Sequence, residues 1–344
     1  MKRFVISAVM ALMMASAAFA GQAEAATTLR LGHVVADNSS LDKGLDYFAK
    51  LVSDKSGGEL KIQVFPNSSL GDNTAMMEQL QFGSLDMMAP SVAALSGFTP
   101  STAIFDLPYL FKNEAAAEEV LDGPLGDTVG KALEPQGFYL LGWMTQSWRH
   151  LTCNKEVTKP ADVAGIKIRT MDSKYHMAHF NTLGASAIPM AMSELYTALQ
   201  QGTIDAQENP YTNIVNSRFY EVQKYVVETG HIYDACPLII STITWKRLDD
   251  NQKKIIQEAA AEAVNWERAE VKKDDAVFRE QVKKSGTTVI VLTPEQRAEF
   301  RKAAQPVYDE FVKEQGQAGA DAVKSVEAVN PKHYTFTLRT IKPE

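Results

Sequence analysis

Residues 80–86 read Leu80-Gln81-Phe82-Gly83-Ser84-Leu85-Asp86, and residues 199–205 read Leu199-Gln200-Gln201-Gly202-Thr203-Ile204-Asp205. Leu, Gln, Gly and Asp recur in register, and Ser exchanges with Thr as Leu does with Ile. Each segment looks like the end of a helix, a glycine stop and the entry into a strand. Reading outward from them gives the same βαβαβ order twice. In the first copy a strand over Leu29–His33 leads to a helix with Leu45, Phe48, Ala49 and Val52 on one face, ending at Gly57-Gly58. A strand over Leu60–Phe65, a helix over Asn73–Phe82 and a strand over Ser84–Ala89 follow. In the second copy the strand Ile166–Arg169 precedes a helix over Ser173–Leu183 and a strand over Ala187–Met190. A helix capped by Ser193 then ends at Gly202, and the last strand covers Thr203–Gln207.

Two α/β lobes with parallel strands place a ligand at the carboxyl ends of those strands. Strand ends fall at His33 and Arg169, at Pro66-Asn67 and Met190–Met192, and at Pro90-Ser91 and Asn209-Pro210. If the lobes face each other, these groups line one cleft between them. Beyond the second copy, Asp249 to about Ser285 has no Pro or Gly and is rich in Ala, Glu, Lys and Gln. A helix of that length spans roughly 50 Å, longer than one lobe, so it is expected to lie across both. A strand over Thr288–Leu292 and helices from Pro294 complete the chain.

The 344 residues carry 35 Lys and Arg against 42 Asp and Glu, a formal charge of −7. No basic run or stripe offers a nucleic-acid surface. A negative total provides no long-range attraction for a small anion, which would have to be caught locally. Lys2 and Arg3, the apolar run Phe4–Ala20 and the small-residue site Ala23-Glu24-Ala25 form the layout of a secretory leader over residues 1–25. No cysteine stands near the cleavage site to take a lipid anchor. Cys153 and Cys236 are too few for a disulfide scaffold, and the sequence leaves open a single bridge or two buried thiols.

Phosphate-binding, dinucleotide-binding, nucleophile-elbow and HExxH motifs are all missing. His176 and His179 lie three apart on a helix, without a neighbouring acidic or cysteine cluster, and read as helix-surface or semi-buried imidazoles rather than a metal pair. No cofactor or metal is expected. Arg169 ends a strand that otherwise reads as buried, so its guanidinium pairs either with a ligand oxyanion or with an internal Asp or Glu. Arg149, within Gln146-Ser147-Trp148-Arg149-His150, is either a surface arginine or a second anion contact. Asn209, between Glu208 and Pro210, either orients a ligand or starts a turn.

Several longer blocks then agree with one family: Gly165–Arg169, Pro189–Tyr196, Gln200–Pro210, Phe219–Tyr225 and Asp106–Phe111. They resemble the DctP-type solute-binding proteins of tripartite ATP-independent periplasmic (TRAP) transporters, in order, across the chain after the leader. The resemblance implies an α/β, two-lobed periplasmic-binding-protein fold with a cleft between lobes and a long helix spanning both. Residues 26–146 plus 235–274 would form one lobe and 147–234 plus 275–344 the other. It implies a periplasmic, monomeric binder that is no enzyme, closing on a small organic acid anion and docking on the small and large membrane subunits. Arg169 matches the family's carboxylate clamp, Arg149 a second family arginine and Asn209 the asparagine of the Glu-Asn-Pro motif. Met192 stands where the family often has Phe beside the ligand. Sialic-acid binders carry a glutamate where this chain has Ser91, which speaks against that ligand. His33, Trp148, Tyr211 and Tyr233 are further cleft candidates, each equally readable as packing or a satisfied imidazole. C4-dicarboxylates, keto or hydroxy acids, sugar acids and sulfonates all suit such a clamp.

Overall fold

The computed structural model describes residues 26–338, with side chains through residue 331; the leader expected over residues 1–25 lies outside the described residues. Two βαβαβ units are present, as the repeat requires. The first comprises β1 (Thr27–Gly32), α1 (Ser40–Lys55), β2 (Leu60–Phe65), α2 (Asn73–Phe82) and β3 (Met87–Met88). The second comprises β5 (Lys167–Thr170), α6 (Lys174–Thr182), β6 (Ser186–Pro189), α7 (Met192–Gln200) and β7 (Ala206–Asn209). Between them lie α3 (Val92–Leu95), a 3-10 turn over Pro100–Asp106, α4 (Glu114–Leu121), α5 (Pro124–Leu133) and the long strand β4 (Phe138–Cys153). After them come α8 (Tyr211–Asn216), β8 (Tyr225–Ser241), α9 (Thr242–Arg247), α10 (Asp250–Lys284), β9 (Thr288–Val291), α11 (Pro294–Ala303) and α12 (Gln305–Leu338).

The sheet runs β2-β1-β3-β8-β4-β7-β5-β6, with β9 paired to β8. Each unit therefore has its first strand in the middle, with parallel partners on both sides. The quoted segments explain the likeness. Gly83 and Gly202 both take left-handed conformations, at φ +72° and +69°, that end their helices without a Cβ penalty. Asp86 then accepts the backbone N–H of Arg30 at 2.9 Å, and Asp205 accepts that of Lys167 at 2.9 Å, tying each helix end to the first strand of its own unit. Backbone pairing starts at these aspartates, with Asp205 N–H donating to the Lys167 carbonyl and the Asp86 carbonyl accepting Ser241 N–H, so β3 and β7 begin later than the expected Ser84 and Thr203. Ser193 is not a cap: Ala191 occupies that position, without a side-chain bond, and α7 begins at Met192.

Long antiparallel strands β4 and β8 cross from one half-sheet to the other. Their register shifts between Thr145 and Trp148, where Ser147 stands at φ +70°, and again between Arg149 and Leu151. An apolar cluster of α1, β1 and α10 residues, including Leu45, Phe48, Ala259 and Ala263, packs the first half. Ile168, Phe180, Ala206 and Phe300 belong to the cluster of the second. The long helix agrees closely with its reading. Asp249 caps it, accepting Gln252 N–H while Gln252 returns a side-chain bond, and its 35 residues carry buried positions from Ile256 to Val282. Helix α12 bends at Gly316. Cys153 lies opposite Tyr225 and Cys236 opposite Met144, roughly 30 Å apart at about 3.3 Å per strand residue, far beyond disulfide reach. Both are buried free thiols. Among the described residues no helix is long and apolar enough to cross a membrane.

Candidate functional site

A cavity of about 520 Å³ lies between the two units. Val34 after β1, Asp72–Thr74 at the start of α2, and Gly97-Phe98 line one side; Arg169 and Met171 at the end of β5 and Pro189–Met192 at the end of β6 line the other. The site thus sits at the carboxyl ends of parallel strands, as expected of such sheets. Arg169 is 3% exposed. Its Nε donates to the Met190 carbonyl at 2.9 Å, and among the described residues no carboxylate pairs with it. Burial consequently pushes this guanidinium down to about 10. A buried cation with no carboxylate in contact, held only by the longer-range attraction of Glu208 and facing a cavity, is an anion site in waiting. Met192 stands on the same wall.

Arg149 is in the opposite condition. Its Nε donates to Glu208 Oε2 at 2.5 Å, its Nη1 to Asp234 Oδ2 at 2.5 Å, and its Nη2 to the Glu208 carbonyl, Glu208 Oε1 and Asn209 Oδ1. Burial alone would lower its pKa, but Glu208 and Asp234 raise it above the ordinary value. Glu208 is fully buried too; burial opposes its charge, and Arg149, His176 and His231 nevertheless hold it well below the usual carboxylate range. Asn209 Nδ2 donates to Gln207, and Asn213 donates to Asn209 Oδ1. Ser91 Oγ donates to Asp234 Oδ1 at 2.5 Å. Arg149, Asn209 and Ser91 thus belong to one internal network. Each nitrogen of Arg149 is already engaged, so this arginine meets a ligand only by exchanging a partner.

The remaining candidates are elsewhere. Trp148 lines a separate cavity with His150 and Arg297, and Tyr233 packs against Trp148 and Phe111. Tyr211 donates to Glu228, and His33 contacts Asp42 at 2.9 Å. None of these four lines the Arg169 cavity. His176 and His179 are fully buried rather than superficial. His176 Nε2 lies 2.5 Å from Asp106 Oδ1 and its Nδ1 3.6 Å from Glu208, and while burial opposes its charge, these carboxylates push it up to about 9. His231, 3.1 Å from Glu208, is lowered by burial. Sequence reasoning missed Asp106, Asp234 and His231 as members of this network. Two carried a signal: Asp106 and Asp234 each interrupt an apolar run, Phe105-Asp106-Leu107 and Ile232-Tyr233-Asp234-Ala235, whereas His231 stands at the start of one. Among the described residues no group of His, Cys, Asp or Glu is arranged to hold a metal ion.

Residues 31–315 match the family described as bacterial extracellular solute-binding protein, family 7, DctP. The chain is 35% identical over 315 residues to the 2,3-diketo-L-gulonate-binding periplasmic protein of Escherichia coli, covering 91% of this chain and 95% of that one. Among solved structures it resembles a TRAP periplasmic solute-binding protein of Polaromonas sp. JS666 bound to D-erythronate, at 37% identity, TM-score 0.84, and coverage of 88% and 98%. It also resembles one from Sulfurospirillum deleyianum with bound succinate, at 34% identity, TM-score 0.83, and coverage of 88% and 99%.

Proposed function

Given that the chain belongs to the DctP family of bacterial extracellular solute-binding proteins, we propose that it captures a small organic acid anion for a TRAP transporter. It does so in the periplasm, without catalysing a reaction, and delivers the acid as a monomer to the small and large membrane subunits. The observation that carries this reading is Arg169: buried, without a carboxylate partner, and lining a cavity between two α/β units. Its Nε is fixed on the Met190 carbonyl, which leaves Nη1 and Nη2 to meet a carboxylate. The relatives solved with D-erythronate and succinate hold carboxylates, which supports an acid here.

Residues 26–146 plus 235–274 and 147–234 plus 275–344 are taken as the moving lobes, with the strand crossing near Ser147 as the hinge. A ligand touching Arg169 on one lobe and the Asp72–Thr74 or Phe98 region on the other favours closure, because only the closed form makes both sets of contacts. Met192 supplies an adaptable apolar wall. Arg149, Asn209 and Ser91 act from behind as the polar frame of the site. A micromolar Kd requires about −8 kcal/mol, and hydrogen bonds to charged groups contribute roughly 1.5–3 kcal/mol each. Two such bonds from Arg169 supply a large part of that.

The test is ligand-induced change in melting temperature and tryptophan fluorescence across a panel of organic acids. Arg169→Ala should abolish the response, a loss of about 100-fold or more in affinity. It should not lower the melting temperature of the ligand-free protein, because it removes an uncompensated buried charge. Full affinity in that variant would sink the clamp.

A further inference from the structure

Building on that reading, we infer that the site selects a hydroxylated monocarboxylate and rejects a second carboxylate. The argument is a charge inventory. Arg169 is the only cation among the described residues lining the cavity, while Asp72, Asp172 and Glu194 line it as acids. Arg149, the other guanidinium within electrostatic reach of Arg169, is already shared by Glu208 and Asp234. One incoming carboxylate therefore completes the charge on Arg169. A second, at the far end of the ligand, meets carboxylates rather than a cation and carries its desolvation cost unrelieved.

Hydroxyl groups find the opposite reception. Asp172 and Glu194 are exposed at the cavity and enter no ion pair among the described residues, so their oxygens accept hydroxyl hydrogens. The acids that repel a second carboxylate thus retain a polyol chain.

Near-isosteric pairs test this by calorimetry on the full-length mature protein: gluconate against glucarate, succinamate against succinate, and gluconate against hexanoate for the hydroxyls. The monoacid should bind at least tenfold tighter than its diacid partner, and gluconate at least tenfold tighter than hexanoate. Asp172→Asn combined with Glu194→Gln should narrow the first two gaps; both positions are exposed, so the fold should tolerate the change. Diacids binding as tightly as monoacids, with binding lost on Arg169→Ala, would overturn the selectivity and leave the clamp standing. An unchanged gap in the double variant would overturn the role of these two acids, and hexanoate matching gluconate would overturn the hydroxyl requirement. If no acid of either kind binds, the clamp and the selectivity both fall.

Discussion

Arg149 and Arg169 are both buried guanidiniums, yet removing them should have opposite consequences. Arg149 joins Glu208 and Asp234, so Arg149→Ala leaves buried Asp234 without its cation and Glu208 with only His176 and His231. Breaking such a group typically costs about 3–5 kcal/mol. Urea denaturation should show that loss as a lower midpoint with an unchanged slope, in contrast to the stability expected of Arg169→Ala. His176 adds a pH dependence. Its ordinary value is 6.5 and the fold raises it to about 9 through Asp106 and Glu208. The folded state therefore binds the proton more tightly, and this contribution is complete below about pH 6.5 and lost as pH rises through about 9. Chemical denaturation across that window should show stability falling with pH, and His176→Gln should flatten the fall. An identical slope in the variant would assign the dependence to other groups.

At the scale of elements, α1 and α10 approach each other closely in the first half-sheet. A Cβ on Gly44 would lie 2.4 Å from Glu267 Cγ and 2.8 Å from its Cβ. Glu267 is fully buried, and its Oε2 accepts the Thr145 N–H beside the strand crossing, so its stem has little room to yield. Gly44→Ala gains roughly 0.5–1 kcal/mol of helix preference, but overpacking of this kind costs about 1–3 kcal/mol. A net loss in denaturant midpoint is expected; a stabilised variant would mean the helices separate easily. Elements were legible in the sequence where local chemistry decides them. The glycine stops at Gly83 and Gly202 and the Asp249 cap are written within a few residues of what they control. The starts of β3 and β7 were less legible, because pairing there depends on strand partners far along the chain, such as Arg30 for Asp86 and Lys167 for Asp205. The Arg149 network was illegible for the same reason: its carboxylates stand 59 and 85 positions away, and only the folded strands bring them together. Arg169 was legible as a buried strand-end arginine, whereas its lack of a partner is a property of the packing.

The whole molecule must admit an anion to a protein whose formal charge is −7. If the half-sheets close as proposed, about the continuous strands β4 and β8 and with α10 packed along both, capture and closure are separable steps. Only the first feels the long-range field. At 0.01 M salt the Debye length is about 30 Å, comparable with a lobe, and like-charge repulsion reaches an approaching acid well outside the cleft. At 0.1 M it is about 10 Å, and the repulsion fades before contact. The Arg169 contact, closed from water, is screened much less. The association rate for a monocarboxylate should therefore rise with ionic strength, by roughly two- to tenfold between these limits, at the low end of electrostatic rate effects. The dissociation rate should change little. Stopped-flow tryptophan fluorescence separates the two constants. An association rate that falls with added salt would reveal a positive field at the cleft mouth, contradicting the disposition of Asp72, Asp172 and Glu194 around it.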